Sequence, residues 1–325
     1  MSNYLIFVFT TIFLSLALLC CQPVVNSSAP ATAIPLGPYL IVLGIAQDAG
    51  YPQAACRKEC CTAVWQGTER PQKVSCLGLV DPASQQVWLL DATPDFREQW
   101  QILSMEIPDV VIPQPSGVFL THAHLGHYTG LLQLGREVMG AQTVPVYAMP
   151  RLDTFLRTNG PWSQLVNLKN IALQPLKTDS AITLNDRIKI TPIQVPHRDE
   201  YSETVGFRVE GPDKSLLFIP DIDKWERWDR SLAEEIAAVD MAFLDATFFA
   251  DGELPNRDMS KIPHPFVSET MDLLAKLPLE ERQKVHFIHI NHTNPLLQTE
   301  SPARQEVAER GFRIAFEGQR VGLFE

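Results

Sequence analysis

Three histidines within six positions restrict what this chain can fold into more than any other feature of its 325 residues. His122, His124 and His127 follow the apolar run 118–120, which is typical of a short buried strand, and precede leucines at helical spacing. The imidazoles therefore lie where a strand gives way to a helix, and the turn there can bring all three towards one point. Neutral imidazole is the commonest protein ligand of transition metals. The pattern predicts the first half of a metal centre more strongly than three unrelated loop histidines.

Length and charge limit the classes of protein to consider. A chain of this length with 45% apolar residues can form one large α/β domain or two small ones, and no repeat or internal Pro/Gly/Ser-rich stretch marks a second boundary. The net charge of −11 opposes polyanion binding, and no run of lysine and arginine supplies a basic patch. We therefore predict a small-molecule substrate and no nucleic-acid partner. Nothing in the sequence predicts an oligomeric state.

The N-terminal segment predicts export. Residues 4–19 form one apolar run that ends at Cys20 and Cys21, so residues 1–21 resemble a signal peptide or a bacterial lipoprotein-type anchor. The segment before the run has no lysine or arginine, and leucine precedes Cys20. An uncleaved membrane anchor of about the minimum spanning length is the alternative. Either way we expect a periplasmic or envelope-anchored protein that contacts the membrane only through this segment.

A proline-rich stretch separates that segment from the folded domain. Residues 22–38 contain four prolines among Ser, Ala and Thr and have no apolar periodicity, which is typical of a linker. The apolar run 39–44 then predicts a buried strand. We therefore expect one folded domain over residues 39–325.

Further candidate side chains stand at the ends of predicted strands. An apolar run or an alternating hairpin strand precedes each of them, and the five are Asp91, His197, Asp221, Asp245 and His289. His264 differs, because it lies in a proline-containing loop just ahead of the amphipathic stretch 266–277. A proton-transfer role for His264 and a histidine without a role at a helix N-terminus both remain open.

A cluster of thiols follows the first predicted strand. Cys56, Cys60 and Cys61 lie on one short loop, with Cys76 farther on. An exported protein could pair them as disulfides, although Cys60 and Cys61 are adjacent and pairing with Cys56 closes very small loops. Three thiolates at this spacing also suit a tetrahedral zinc that takes its fourth ligand from elsewhere. Zinc and disulfides both remain open here.

The histidine stretch resembles the HxHxDH signature of the metallo-β-lactamase superfamily, whose fold is an αββα sandwich in the α/β class. The resemblance implies a first metal bound by His122, His124 and His197 and a second bound by His127, Asp221 and His289, with Asp221 between the two. Asp91 matches an aspartate that supports the histidine loop, which implies that it orients a ligand histidine. Gly126 stands where the signature has its aspartate, and that leaves the second metal in doubt.

The two ends of the domain resemble one branch of this superfamily. The stretch 44–53, the cysteines, the element 245–248 and the tail 289–295 look like the coenzyme PQQ synthesis protein B family, over about 39–325. A related phosphodiesterase family holds a structural zinc with three loop cysteines and a late histidine, which implies the set Cys56, Cys60, Cys61 and His292. The Asp245 element followed by His264 is similar to ribonuclease Z-type members, where such a pair helps to move protons.

Three functions follow from these resemblances. The first is a metal-dependent hydrolase of a phosphodiester or small ester, in which Asp221 holds a metal-activated water and His264 with Asp245 protonates the leaving group. The second is an iron-dependent oxidation in cofactor biosynthesis, and the third is a non-catalytic envelope binding protein. The expected cofactor is zinc or another divalent transition metal, with manganese and iron as alternatives, as one or two ions in the active site. A structural zinc is expected in addition.

Overall fold

The computed structural model describes residues 36–198 and 200–325. The predicted export segment 1–21, and all but the last three residues of the predicted linker 22–38, lie outside the described residues. Among the helices that the structure describes, none is long and apolar enough to cross a membrane. The first strand in the described residues begins at Tyr39.

Fourteen strands in the described residues form two seven-stranded sheets. The first sheet has the order β14-β1-β2-β3-β4-β5-β6 and the second the order β13-β12-β11-β10-β9-β8-β7. The strands are β1 Tyr39–Gly44, β2 Cys76–Asp81, β3 Gln86–Leu90, β4 Gly117–Phe119, β5 Val144–Ala148, β6 Ile171–Pro175, β7 Ile182–Asn185, β8 Ile188–Gln194, β9 Val205–Glu210, β10 Ser215–Ile219, β11 Met241–Asp245, β12 Val285–Ile288, β13 Arg313–Ile314 and β14 Arg320–Gly322.

Helices cover the outer faces of the sheets. One apolar cluster fills the space between the two sheets, and a second lies between the first sheet and its own helices. This arrangement is the αββα sandwich that the sequence predicts. The α-helices are α1 Glu59–Trp65, α2 Phe96–Leu103, α3 Leu125–Tyr128, α4 Pro150–Thr158, α5 Trp162–Asn167, α6 Leu232–Ala237, α7 Val267–Leu273, α8 Leu279–Arg282 and α9 Pro302–Glu309.

Parallel strands in both sheets place the candidate residues at one edge. In the first sheet β3, β4 and β5 are parallel, and in the second β10, β11 and β12 are parallel. The carboxyl ends of parallel strands meet at the same edge of a sheet, where open α/β proteins bind their ligands. Asp91 follows β3, the histidine stretch follows β4, Asp221 follows β10, Asp245 ends β11 and His289 follows β12.

Two local predictions need correction. The helix predicted after the histidines, from a pattern that extends to Val138, is only the single turn α3, continued as a 3-10 helix over Thr129–Leu134, and Val138 is exposed. Gly130 in this segment packs against backbone so closely that an added Cβ would lie 2.2 Å from the carbonyl oxygen of Thr93. Cys60 and Cys61 lie on helix α1 rather than on a loop.

Candidate metal centre

Four side chains on the two sheets form the first group of candidate ligands. His122, His124, His197 and Asp221 each place one nitrogen or oxygen atom within 4.8 Å of the others. Nε2 of His122 lies 3.3 Å from Asp221 Oδ2, and Nε2 of His197 lies 3.2 Å from Asp221 Oδ1. Nδ1 of His124 lies 3.9 Å from Asp221 Oδ2. These are the residues that the sequence assigned to the first metal.

Hydrogen bonds on the far side of each ring fix which nitrogen faces this group. Nδ1 of His122 lies 3.0 Å from the Thr121 hydroxyl oxygen, and Nδ1 of His197 lies 3.2 Å from Asp223 Oδ1. An imidazole that donates from Nδ1 presents the lone pair of Nε2, which is the usual arrangement behind a metal-binding histidine. His124 has the opposite orientation: its Nε2 lies 3.3 Å from Glu200 Oε2, so its Nδ1 faces the group.

A second group shares Asp221 and contains one residue that the sequence did not indicate. Asp48, His127, Asp221 and His289 place their ligand atoms within 4.8 Å of one another. Oδ1 of Asp48 lies 3.0 Å from His127 Nε2 and 3.3 Å from His289 Nε2. Oδ2 of Asp221 lies 3.9 Å and 3.8 Å from the same two nitrogens. Among the described residues, Asp221 is therefore the one carboxylate that belongs to both groups.

The second group also has hydrogen-bonded supports. Oδ2 of Asp91 lies 2.7 Å from Nδ1 of His127, as expected of a carboxylate that orients a ligand histidine. Nδ1 of His289 lies 3.0 Å from the hydroxyl oxygen of Thr247. Asp91 and His289 both have positive φ values, 72° and 62°, at the ends of their strands. Non-glycine residues adopt this strained conformation mostly where the surroundings impose it, often at functional sites.

His264 and Asp245 form a buried pair beside Asp221. Nδ1 of His264 lies 2.8 Å from Asp245 Oδ2 and 3.2 Å from Asp221 Oδ1. The other oxygen of Asp245 accepts hydrogen bonds from the backbone NH and the hydroxyl of Thr247. Among the described residues none makes a hydrogen bond to Nε2 of His264. Asp245 therefore orients the ring, and Nε2 remains available for a proton transfer.

The electrostatic field of the centre attracts cations. Burial lowers the pKa of His127, but Asp91 and Asp48 raise it well above its usual range. Burial likewise lowers the pKa of His197, but Asp221 and Asp223 raise it to about 10. Burial raises the pKa of Asp48, yet His127 and His289 hold it well below its usual range. Ionised carboxylates thus favour a positive charge among the imidazoles, which a proton or a metal ion can supply.

Polar atoms without partners provide a test of whether a metal ion fits. Buried Nε2 of His122, Nδ1 of His124, Nε2 of His197 and Oδ1 of Asp221 accept or donate no hydrogen bond within the described part of the chain. Buried polar atoms are rarely left unpaired, and each such atom needs an explanation. All four belong to the first group, and all four are atoms that ligate transition metals. The first group therefore fits one metal ion, and the second group, which shares Asp221, offers the donors for another.

The cysteines form a separate cluster with His292. The sulfurs of Cys56, Cys60 and Cys61 and a ring nitrogen of His292 lie within 4.8 Å of one another. Sγ of Cys56 is 4.0 Å from Sγ of Cys60, close to the edge of about 3.8 Å in a tetrahedron with zinc–sulfur distances of about 2.3 Å. The thiols are free, and burial together with its neighbours Cys61 and Cys56 raises the pKa of Cys60 to about 12.

Comparison with known proteins agrees with this geometry. The family model described as a β-lactamase superfamily domain matches residues 87–290, more than half of the chain. The chain belongs to the metallo-β-lactamase superfamily. The matched part of this metallo-β-lactamase-fold protein contains every predicted ligand of the two histidine groups, whereas Asp48 and the cysteine cluster lie outside it.

Individual relatives place this superfamily member in the PqqB-like branch. Coenzyme PQQ synthesis protein B of Xanthomonas oryzae pv. oryzae is 25% identical over 307 residues, covering 87% of this chain and 99% of that protein. The Cupriavidus necator protein of the same name is 26% identical over 313 residues, covering 87% and 98%. The structure of zinc-bound PqqB from Methylobacterium extorquens matches with a TM-score of 0.74 at 25% identity, covering 88% and 100%.

A diphosphatase from the PhnP family shares the fold of this superfamily member, with a TM-score of 0.59 at 21% identity over 87% of this chain and 96% of the other.

Several residues of the site were not predicted from sequence. The most important is Asp48, and the others support a ligand ring: Thr121, Glu200, Asp223 and Thr247. Asp48 lies four residues beyond the end of a buried strand, whereas Asp91 and Asp221 lie one and two residues beyond theirs, so its signal was weaker. Its partners are 79 and 241 residues away in the chain, so no local spacing connects them.

Proposed function

We propose that this protein is a metal-dependent hydrolase of a phosphodiester or another small ester, with two divalent transition-metal ions in its active site. The observation that carries the proposal is the position of Asp221, whose carboxylate lies between two separate sets of inward-facing ring nitrogens. Zinc is the first candidate, because the PqqB structure that matches this fold contains it. Manganese and iron are the alternatives, since imidazole and carboxylate ligands suit them as well.

Each group of ligands has its own part in the proposed reaction. When bound, divalent ions supply Lewis-acid chemistry, because they polarise a substrate oxygen and lower the pKa of water to about 7. His122, His124 and His197 would hold the first ion, and His127 and His289 would hold the second. Asp221 would orient the attacking water.

His264 is the proposed proton donor to the leaving group. Burial lowers the pKa of His264, but the Asp245 and Asp221 carboxylates raise it above its usual value, which favours the protonated ring. Asp245 holds Nδ1 and leaves Nε2 to deliver that proton. General acids of this kind contribute about 10²–10⁴-fold to rates.

The leaving group provides the test of this proposal. Metal-free protein is reconstituted with zinc, manganese or iron and assayed on paired phosphodiesters and esters that differ only in a p-nitrophenyl or a methyl leaving group. We expect turnover that depends on added metal. His264→Asn should reduce turnover of the methyl compounds at least about 100-fold more than that of the p-nitrophenyl compounds, which need no proton. Equal losses for both would contradict the role of His264, and no metal-dependent turnover of either class would contradict the hydrolase proposal.

We further propose that the cysteine cluster holds a structural zinc. Three thiols and one imidazole complete a tetrahedral shell and leave no open position, which is typical of structural rather than catalytic zinc. The same two segments that carry these ligands also carry Asp48 and His289. A zinc ion would therefore fix the floor of the active site without taking part in the reaction.

A second candidate function is an iron-dependent oxidation of the kind implied by the PqqB-like relatives, whose names refer to coenzyme PQQ synthesis. Coverage of 87% of this chain supports it. Oxygen uptake by iron-loaded protein with a tyrosine-derived substrate, together with inactivity in the ester assays, would favour this function over hydrolysis. The third candidate is a non-catalytic envelope binding protein, and it depends on Gly126 leaving the second metal short of a ligand. Asp48 argues against it, because its carboxylate lies beside Gly126 and faces His127 and His289.

A further inference from the structure

Gly126 is enclosed by the side chain and backbone of Asp48. A Cβ added at Gly126 would lie 2.5 Å from both the Cα and the Oδ1 atom of Asp48, and 2.9 Å from its Cβ. Real Cβ atoms essentially never approach other heavy atoms this closely. Gly126 has no positive φ value, so the close approach of Asp48, and not backbone conformation, requires glycine here.

The Asp48 carboxylate lies directly against the position of a Cβ on residue 126. Its Oδ1 atom faces Nε2 of His127 at 3.0 Å and Nε2 of His289 at 3.3 Å. The side chain is only 15% exposed, so the contact is made largely away from water. The same two nitrogens face Asp221 from the other side at 3.9 Å and 3.8 Å.

The hydrogen bonds at Nδ1 of His127 and His289 determine what Nε2 of each ring presents to Asp48 and Asp221. His127 donates from Nδ1 to Asp91, and His289 donates from Nδ1 to the Thr247 hydroxyl, whose own proton goes to Asp245. In the neutral form that binds a metal, each ring has one N–H, so Nε2 then presents a lone pair. Nε2 of both rings and the carboxylates of Asp48 and Asp221 face one another. A single divalent cation can satisfy all four groups at once, whereas each proton on Nε2 joins one nitrogen to one oxygen.

The loop that carries Asp48 is anchored to the strand end that carries His289. The backbone NH of Gln47 donates to the carbonyl oxygen of Ile290 at 2.9 Å, and the NH of Ile290 donates to Ile45 at 2.8 Å. A further backbone hydrogen bond of 2.8 Å joins Gly50 to Gln47 and closes the turn around Asp48. The same backbone pairing therefore positions both Asp48 and His289.

We propose that Asp48 is the second metal's carboxylate ligand in place of residue 126, and that Gly126 is glycine because Asp48 occupies its side-chain space. The two positions form a matched pair, so the centre has a full set of ligands for two ions although the sequence signature lacks its aspartate. This inference rests on the proposed metal centre but not on the reaction that the centre performs.

Calorimetric titration of the metal-free full chain with Mn²⁺ tests the pair. Manganese suits carboxylate and imidazole ligands, whereas thiolates select zinc, so the cysteine cluster contributes little. We expect the wild type to bind two ions. Asp48→Asn should keep the first ion and weaken the second at least about 100-fold, the upper end of the loss caused by removing even an outer partner of a ligand. Gly126→Ala removes no ligand atom and should produce the same selective loss, because the loop at Asp48 must move away.

Two controls accompany these variants. Leu125→Ala changes the exposed neighbour of Gly126 on the same helical turn, and Asp186→Asn removes an exposed carboxylate elsewhere. Both should bind two ions as the wild type does. Binding of the first ion and the circular dichroism spectrum report whether each variant is folded, and Gly126→Ala tests the proposal independently if Asp48→Asn does not fold.

Several results would overturn the proposal. These are a wild type that binds a single ion, an Asp48→Asn variant that binds both ions with unchanged affinity, and a folded Asp48→Asn variant that binds neither. Hydrolysis by the wild type together with unchanged metal binding in Asp48→Asn would reject this proposal and leave the proposed function intact. A wild type that binds two ions, with selective loss of the second ion in both variants but no hydrolysis, would reject the proposed function and leave this proposal intact.

Discussion

The histidine–aspartate centre and the cysteine cluster share two chain segments but are built in different ways. Asp48 and the cysteines follow β1, and His289 and His292 follow β12. The centre adds side chains from both sheets, backs its rings with carboxylates and hydroxyls, and leaves ring nitrogens unpaired. The cysteine cluster needs no residue beyond these segments. The difference teaches that the proposed catalytic ions would depend on contacts across the fold, whereas the proposed structural zinc would depend only on the two segments that it joins.

The largest expected effect separates the two sites completely. The double variant His122→Ala/His124→Ala should remove ions from the centre and leave the zinc of the cysteine cluster in place. Because Lewis-acid stabilisation is worth several kcal/mol, turnover should fall by about 10³-fold or more. Elemental analysis and the ester assay measure both effects. Full activity of the double variant would refute the account of the centre.

The supporting hydrogen bonds of the centre predict the next effect. Asp223→Asn weakens the support of the His197 ring without changing a ligand, and loss of such a partner costs about 10–100-fold in metal affinity or activity. Zinc in the cysteine cluster should be unaffected. Calorimetry on Asp223→Asn and on the exposed control Asp229→Asn makes the comparison. Equal affinities in both variants would mean that the support of His197 does not matter.

The cysteine cluster should affect stability more than catalysis. His292→Ala and Cys61→Ser should each lose the structural zinc and lower the melting temperature by roughly 5 °C or more, since about 2 kcal/mol corresponds to such a shift in a domain of this size. Turnover at 25 °C should change less than about threefold. Cys76→Ala removes a buried thiol outside the cluster and should keep its zinc. A fall in turnover at 25 °C well beyond about threefold, in variants that are still folded at that temperature, would assign this zinc to the reaction.

The smallest expected effect concerns Glu253, which lies in the loop before His264. Its carboxylate accepts a hydrogen bond from the hydroxyl of Thr293, in the segment that follows β12. Burial raises the pKa of Glu253 from about 4.5 to about 7. Between these values the folded chain binds more protons than the unfolded chain, so the free energy of unfolding falls as pH rises through this window. At pH 8 the variant Glu253→Gln should therefore be more stable than the wild type, by about 1–3 kcal/mol.

Urea unfolding at pH 5 and pH 8 measures this difference, with the exposed Glu280→Gln variant as the control. The curves of wild type and control should shift together between the two pH values, and Glu253→Gln should shift less. The same pH dependence in all three proteins would show that the Glu253 carboxyl does not titrate in this window.

Sequence predicted the sheets and most of the centre because both depend on local patterns. Apolar runs identified strands such as 87–90 and 216–219, and the polar residue at each end became a candidate ligand. The runs meet at one edge because the strands are parallel, and the family resemblance supplied that arrangement. The extent of the helix after His127 was wrong, since the backbone contact at Gly130 is a tertiary feature that no periodicity shows.

Asp48 shows why the rest could not be predicted. The HxHxDH signature describes residues of one loop only. Judged by that loop alone, Gly126 leaves the second metal without one of its ligands. The structure brings the Asp48 carboxylate beside Gly126 from the first loop of the domain, which a backbone pairing joins to Ile290. Supports such as Asp223 and Thr247 lie two residues beyond a predicted site residue, but their roles depend on ring orientation, which only the packed structure defines.

Anomalous X-ray scattering from crystals of the metal-loaded protein tests the central claim most directly. The account predicts two peaks in the centre about 3.5–4 Å apart, with Asp221 between them. His122, His124 and His197 should surround one peak, and Asp48, His127 and His289 the other. No peak in the centre, or a single peak with Asp48 turned away from it, would contradict a binuclear site completed by Asp48.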